Sequence, residues 1–194
     1  LFEILEDQDC RIEGYEEDLR AIIQKIGWKR ATELSSATQD IYQYLRKGIQ
    51  HSNISITDFK RLSQEANQNI TTKTLQIRRG TRGTLNAEIE ISKDFCRFLG
   101  YYVAEGWTEQ TGDVVLSNND QPIVEDMVSL AKNLFGITPY VRKTYGLGVS
   151  TQINLNNKIL GLLIKKLGCG RISIEKRVPG LIFGLAEDKI CEFL

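Results

Sequence analysis

A carboxylate at the end of a short amphipathic helix is the first feature of this sequence that could do chemistry. Residues 94–106 read Asp-Phe-Cys-Arg-Phe-Leu-Gly-Tyr-Tyr-Val-Ala-Glu-Gly, with Glu105 last but one. We expect Asp94 to act near the N-cap and Gly106 to end the helix in the left-handed conformation. A free carboxylate at such a tip suits a hard divalent cation, because Mg²⁺ prefers oxygen ligands.

Two small residues lie one turn apart on the same helix. Gly100 and Ala104 share a side with Leu99 and Val103, and such small residues let a second helix approach closely. A buried core helix would carry the same residue types without any functional site, so both interpretations stay open on these residues alone.

The pattern resembles a known signature. Aligned with the first signature helix of the LAGLIDADG homing endonucleases, Leu99-Gly-Tyr-Tyr-Val-Ala-Glu-Gly106 matches position by position. The resemblance implies that Glu105 is a catalytic, metal-binding acid and that Mg²⁺ (or Mn²⁺) is the cofactor. It also implies that Gly100, Ala104 and Gly106 serve the packing of the motif helix.

Strand and helix patterns follow the signature helix in a regular order. We predict helices over 120–136 and 156–167, and strands over 107–110, 112–118, 138–144 and 148–154. This order, αββαββα, is the LAGLIDADG repeat. The predicted fold class is therefore α+β, with a curved antiparallel sheet and a helical region before it.

Polar side chains on the second predicted hairpin could contact DNA. The resemblance implies that the sheet straddles double-stranded DNA, and the candidate contacts there are Arg142, Lys143, Thr144, Thr151 and Gln152. An ordinary solvent-exposed face is the alternative for any one of them. The net charge of zero, from 25 basic and 25 acidic side chains, does not by itself suggest a nucleic-acid partner.

A second block lies near the end of the sequence. Ser173-Ile-Glu-Lys-Arg-Val-Pro-Gly-Leu-Ile-Phe-Gly184 resembles a segment of the intein-borne endonucleases in which a lysine precedes a Val/Ile-Pro step. The family's catalytic lysine falls on Lys176. Residues 185–194 resemble the start of a second signature helix, so we expect a fragment with one complete repeat. Its paired acid would come from a second repeat or a second copy.

The first ninety residues are predicted to be mostly helical. Tyr15–Ile26 and Ser36–Gly48 carry helical patterns, and Thr57–Ala66 with Thr71–Ile77 is compatible with a helix-turn-helix that binds DNA. A plain helical linker is the alternative. A basic loop follows, and its candidate phosphate contacts are Arg78, Arg79 and Arg82. The predicted divisions are 1–90, 91–169 and 170–194.

Several classes of protein are disfavoured by the sequence. The four scattered cysteines and single histidine argue against a zinc site and suit an intracellular, reducing compartment. We expect no membrane partner, because no apolar run approaches the length of a membrane span. The motifs that accompany self-splicing are not found within these residues, so splicing blocks of an intein would lie outside them.

The resemblance favours one function and leaves others open. It implies a site-specific, double-stranded DNA homing endonuclease that hydrolyses phosphodiesters, as part of an intein or of a larger two-motif enzyme. One alternative is a non-catalytic nucleic-acid-binding relative, such as a transcription regulator or an RNA maturase-like protein. Another is a fragment that docks on a partner through Gly100 and Ala104.

Overall fold

A computed structural model describes residues 3–5, 10–35, 54–79, 83–145 and 149–194. The chain divides into two compact units. The first comprises residues 1–80 with 86–88, and the second comprises residues 81–85 with 89–194. No helix among the described residues is long and apolar enough to cross a membrane.

The first unit combines helices with a small antiparallel sheet. Its elements are β1 (Arg11–Glu13), α1 (Glu16–Ile26), α2 (Trp28–Leu34), β2 (Ile54–Ser55), α3 (Ile56–Glu65) and β3 (Gln76–Arg78). The strand order is β2-β1-β3-β4, where β4 is Thr84–Asn86. Its core includes Tyr15 of the α1 N-cap and Phe59 of α3, whose ring centroids lie 5.7 Å apart.

One expectation for this unit is wrong. Thr71–Ile77 forms a 3₁₀ turn at Thr72–Thr74 followed by β3, so the second helix of a helix-turn-helix is not there. Leu75 and Ile77 are both buried, and Ile77 pairs with Ile12 of β1. That strand period, with an inward side chain at every second residue, prevails over the helical pattern. The helices expected near 15–26 and 57–66 are confirmed, whereas 36–48 lies outside the described residues.

The second unit confirms the predicted order of elements. It contains α4 (Lys93–Glu105), β5 (Gly106–Thr108), β6 (Val114–Asn118), α5 (Gln121–Phe135), β7 (Tyr140–Tyr145), β8 (Val149–Leu155) and α6 (Lys158–Lys166). The strands form an antiparallel sheet with the order β5-β6-β8-β7. A linker with 3₁₀ turns leads to α7 (Glu187–Phe193).

The register gives the sheet two different faces. Leu116 pairs with Ile153, and Val114 pairs with Leu155, and all four side chains are fully buried. Residues on alternate positions point the other way. There Ser117 pairs with Gln152, and Gln152 pairs with Arg142. We call this second surface the open face.

The start of α4 agrees with expectation, whereas its end differs. The N-cap is Ser92, whose hydroxyl accepts from the Phe95 N–H, and Asp94 lies in the first turn. Gly106 has φ −106° and ψ 170°, so it is extended and begins β5 directly. Glycine is needed there for space, because a Cβ would lie 2.7 Å from Tyr102 Cδ2 and 2.9 Å from Leu116 Cδ2.

Helix α7 packs along α4 in the same direction. A Cβ at Gly100 would overlap the carbonyl oxygen of Phe193, so the helices approach backbone to backbone. The Nζ of Lys93 lies 3.1 Å from Asp188, one turn before the place where Arg97 meets Glu192 at 3.0 Å. The Nζ of Lys189 donates to the Ile91 carbonyl at 2.6 Å.

Arg97 joins three helices through its charge. It lies 3.0 Å from Asp126 of α5, 2.9 Å from Asp94 and 3.0 Å from Glu192 of α7. Tyr101 donates to the same Asp126 at 2.9 Å. With three carboxylates around it, the single guanidinium links both α7 and α5 to α4.

We predict that Gly100→Ala destabilises the protein by about 1–3 kcal/mol, because the added methyl overlaps the backbone of α7. Helix propensity alone would give the opposite sign, about 1 kcal/mol of stabilisation. Urea unfolding measures the difference, and amide exchange should show α7 losing protection. Gly180→Ala is the matched control, since no atom lies within 4 Å of a Cβ there. Stabilisation by Gly100→Ala would contradict the packing.

Candidate active site

The last turn of α4 presents an exposed carboxylate beside the sheet. Glu105 is the final helical residue, its side chain is exposed, and the chain passes from it into β5. Ala104, the neighbour predicted to pack a second helix, is also exposed. Of the predicted packing residues, Gly100 therefore contacts α7, Gly106 contacts the sheet, and Ala104 remains open to solvent.

The side chain of Lys176 contacts the same turn of α4. This residue belongs to the linker that follows α6. Its Nζ donates to the Tyr102 carbonyl at 2.6 Å and lies 3.3 Å from the centroid of the Tyr102 ring. The same carbonyl accepts the Gly106 N–H. A cation at the carboxyl end of a helix is favoured by the partial negative charge of its last carbonyls. The ammonium is thus held three residues before Glu105.

The linker is folded so that Lys176 returns to the helix. Gly170 has φ +78°, and a side chain there would overlap the backbone of Glu175, so the turn requires glycine. The Thr108 N–H of β5 donates to the Arg171 carbonyl at 2.9 Å. The Arg171 N–H donates to the Glu175 carboxylate at 3.0 Å. These contacts tie the linker to the edge strand of the sheet.

Burial controls the ionisation of the groups around Lys176. Desolvation lowers the pKa of Lys176 from about 10.5 to about 8, and the neighbouring Cys169 opposes this shift. Desolvation also raises the pKa of the Cys169 thiol to about 11 and the pKa of Tyr102 to about 12. The lysine is consequently the group of this cluster that titrates nearest to neutral pH.

The described residues do not form a metal site by themselves. Among them, no group of three or more His, Cys, Asp or Glu side chains is placed to hold a metal ion. Glu105 can offer one carboxylate, whereas a magnesium site in a protein commonly draws on one or two carboxylates together with the substrate phosphate. At Glu105 the described residues would therefore supply fewer than three such ligands, and the remaining ones would come from the substrate phosphate, from water or from another segment.

The open face carries a ladder of polar pairs. Arg142 Nε and Nη2 donate to Gln152 Oε1 at 3.2 and 3.0 Å, and Ser117 is hydrogen-bonded to Ser150. Thr144 pairs with Ser150 and therefore lies on this face. Its hydroxyl donates to the Ser150 carbonyl at 3.2 Å, a bond within the sheet.

The register divides the predicted DNA-contacting set between the two faces of the sheet. Lys143 and Thr151 pair with each other and alternate with Arg142 and Gln152, so they point to the opposite face. Sequence reasoning also missed residues that do share the open face. Trp107 pairs with Val115, and Val115 pairs with Asn154, so all three residues lie on the open face. Alternation along the strands identifies Trp107 once the pairing of the strands is known.

The basic loop residues are placed differently. Arg78 belongs to the first unit, where its Nη1 lies 2.6 Å from the Glu13 carboxylate. Arg79 also belongs to that unit and is half-buried, whereas Arg82 lies outside the described residues.

Comparison with known proteins gives a family match to part of the second unit. Residues 92–168 match the family model described as a LAGLIDADG-like domain. That part of the chain is therefore a LAGLIDADG-like domain, as the signature helix predicted.

Long proteins contain similar segments. A DNA polymerase of Thermococcus sp. (strain GE8) is 34% identical over 114 residues, which cover 52% of this chain and 6% of the polymerase. A DNA polymerase of Thermococcus hydrothermalis is 36% identical over 103 residues, covering 49% of this chain and 6% of the polymerase. Transcription initiation factor IIB of Methanocaldococcus jannaschii is 33% identical over 102 residues, 51% of this chain and 14% of that protein.

We predict that Lys176→Met changes how stability depends on pH. Because the pKa of Lys176 is about 8 in the folded protein and near 10.5 when unfolded, the unfolded chain binds more protons between these values. The cost of burying the ammonium is fully present below about pH 8 and is lost as the pH approaches the unfolded pKa.

Thermal unfolding of both proteins between about pH 7 and about pH 10 measures this effect. The Tm of the wild type minus that of the variant should increase with pH. The titrations of Cys169 and Tyr102 occur in both proteins, so their contributions largely cancel in the difference. Parallel Tm curves would contradict a buried Lys176.

Proposed function

We propose that this chain supplies one half of a site-specific endonuclease that hydrolyses double-stranded DNA. The observation that supports it most strongly is the joint position of Glu105 and Lys176 on the last turn of α4. An acid and a half-buried ammonium at one helix end suit phosphodiester chemistry. That helix end also leads directly into the sheet whose open face is lined with polar side chains.

The chemistry explains why these residue types are useful. A phosphodiester resists attack because its charge repels the nucleophile and because the leaving alkoxide is a poor leaving group. A divalent cation, Mg²⁺ or Mn²⁺, would neutralise that charge. Glu105 would contribute one carboxylate to its binding. The Lys176 ammonium is hydrogen-bonded to the Tyr102 carbonyl. It would stabilise the negative charge that develops on the phosphate oxygens.

The second carboxylate would come from a paired repeat. Helices α4 and α7 run parallel and are in contact along their length, from Lys93 with Asp188 to Gly100 with Phe193. Ala104 and Glu105 lie further along the same helix and are exposed. This arrangement supports a complex in which a second signature helix runs beside α4 and brings its own acid next to Glu105. A second repeat on the same polypeptide or a second copy of the chain would supply this helix.

The comparisons support an inserted element as the natural setting. Similar segments account for 6% of each DNA polymerase and 14% of transcription initiation factor IIB. Those proteins have unrelated names, so a shared segment of this size is the pattern that an intein-borne endonuclease would give. We therefore place the chain in a larger host protein.

A non-catalytic nucleic-acid-binding protein is the second candidate. It is favoured by the incomplete set of carboxylates among the described residues. Both candidates use the open face, and they differ in what Glu105 does. A regulator or RNA maturase-like protein would bind nucleic acid with the same affinity when Glu105 is neutralised, and it would not cut.

We predict that Glu105→Gln lowers DNA cleavage on the order of 10²-fold or more, because an oriented charged group in the site is lost. The assay uses the natural protein that carries both repeats, with Mg²⁺ and a DNA library from which its cleaved site is recovered. Glu125→Gln is the control, since Glu125 is an exposed acid on α5. Metal-dependent cleavage that survives Glu105→Gln would contradict the proposed role, and binding without cleavage by the wild type would favour the regulator.

We predict that Arg142→Gln weakens DNA binding, whereas Lys143→Gln leaves it nearly unchanged. The two residues are adjacent and carry the same charge, but they point to opposite faces of the sheet. Losing one phosphate contact should reduce the slope of log K against log salt by about 1. Fluorescence anisotropy with a mixed-sequence duplex at several salt concentrations measures both quantities. Equal effects of the two substitutions would show that the open face is not the DNA surface.

A further inference from the structure

We propose that Tyr102 is the residue that positions the Lys176 ammonium at the end of α4. This inference rests on the proposed function for its consequence in cleavage, but the contacts that carry it are independent of any activity. Tyr102 is fully buried, so its side chain has one environment in which to act.

Tyr102 contacts the lysine in two ways. Its carbonyl accepts from Nζ at 2.6 Å, and its ring centroid lies 3.3 Å from the same nitrogen. The carbonyl is available at this position in any residue, but the ring face is specific to an aromatic side chain. An ammonium over an aromatic ring is attracted by the negative face of the π system. The ring and the carbonyl together restrict the nitrogen from two directions.

The tyrosine hydroxyl holds the linker from which the lysine comes. It donates to the Gly170 carbonyl at 2.8 Å, and it is hydrogen-bonded to Thr108 Oγ1 at 2.8 Å. Gly170 begins the tight turn that leads to Lys176. One side chain thus fixes both the base of the linker and the charged tip of its lysine. Phenylalanine would keep the ring contact, and leucine would keep neither.

A direct test is the position of Lys176 in solution. Protons above the face of an aromatic ring resonate upfield, so the Lys176 Hε protons should lie upfield of those of the other lysines. Carbon-13 labelling of lysine resolves these signals, and Lys176→Arg identifies the one that belongs to Lys176. We expect the upfield shift in the wild type and in Tyr102→Phe, and its loss in Tyr102→Leu. A wild-type Lys176 signal among those of exposed lysines would overturn the proposal, whether or not Tyr102→Leu folds.

The effect on cleavage separates positioning from general stability. With the natural two-repeat protein, Tyr102→Leu should lower kcat as much as Lys176→Met does, on the order of 10-fold or more, with KM little changed. The double variant should be no slower than either single variant, because both remove the same positioned charge. Tyr102→Phe keeps the ring contact but loses the hydroxyl bonds to the linker, so its kcat should lie between those of the wild type and Tyr102→Leu. Multiplicative losses in the double variant would overturn the proposal.

Thr108→Val provides a matched control on the hydroxyl side. It removes one partner of the Tyr102 hydroxyl while leaving the ring and the Gly170 contact in place. We expect the upfield Lys176 signal to remain in this variant, and its loss would assign the position of the lysine to the linker rather than to the ring. Failure of the wild type to cut DNA would contradict the proposed function alone, since the resonance measurement does not depend on cutting.

Discussion

The close approach of backbones along α4 is the constraint on which the second unit depends. At Gly100 the chain of α7 occupies the space that a side chain would need, and at Gly106 the Tyr102 ring and Leu116 do the same. At Gly100 main chain lies against main chain, whereas at Gly106 the main chain lies against side chains that leave no room for a Cβ. Arg97 adds ion pairs from α4 to α5 and to α7. Helix α4 is therefore in contact with α5, with α7 and, at Gly106, with the sheet.

That constraint determines where the chemistry can occur. Because Gly106 is extended rather than left-handed, α4 runs without a loop into β5, and Glu105 is held at the junction of helix and sheet. Lys176 is 74 residues from Tyr102 in sequence, yet its ammonium donates a hydrogen bond to the Tyr102 carbonyl in the last turn of α4. The site is therefore assembled at a helix terminus by groups from two distant parts of the chain.

The order of helices and strands can largely be predicted from the sequence, because hydrophobic periodicity and the residues that end helices depend on local structure. The helix predicted over 120–136 is α5, which Asp120 precedes and which Gly136 ends in the left-handed conformation with φ 65°. The conformation of Gly106 was predicted wrongly. A glycine after a helix can be required either because the backbone is left-handed or because a side chain would not fit, and the sequence does not distinguish the two. The faces of Lys143 and Thr151 could not be read from the sequence, because a strand changes face at every residue and composition does not give the register. The Tyr102–Lys176 contact depends on the path of the linker, which no local pattern encodes.

The central claim is that DNA lies on the open face beside the end of α4. Trp107 reports on it directly, because its indole belongs to that face and its Nε1 donates to Glu109 at 2.8 Å. The chain contains two tryptophans, so the indole N–H region of an NMR spectrum is simple. We expect the Trp107 resonance to shift or broaden as a duplex is added, in step with binding measured by anisotropy. Saturating DNA binding with an unchanged Trp107 resonance would contradict the account.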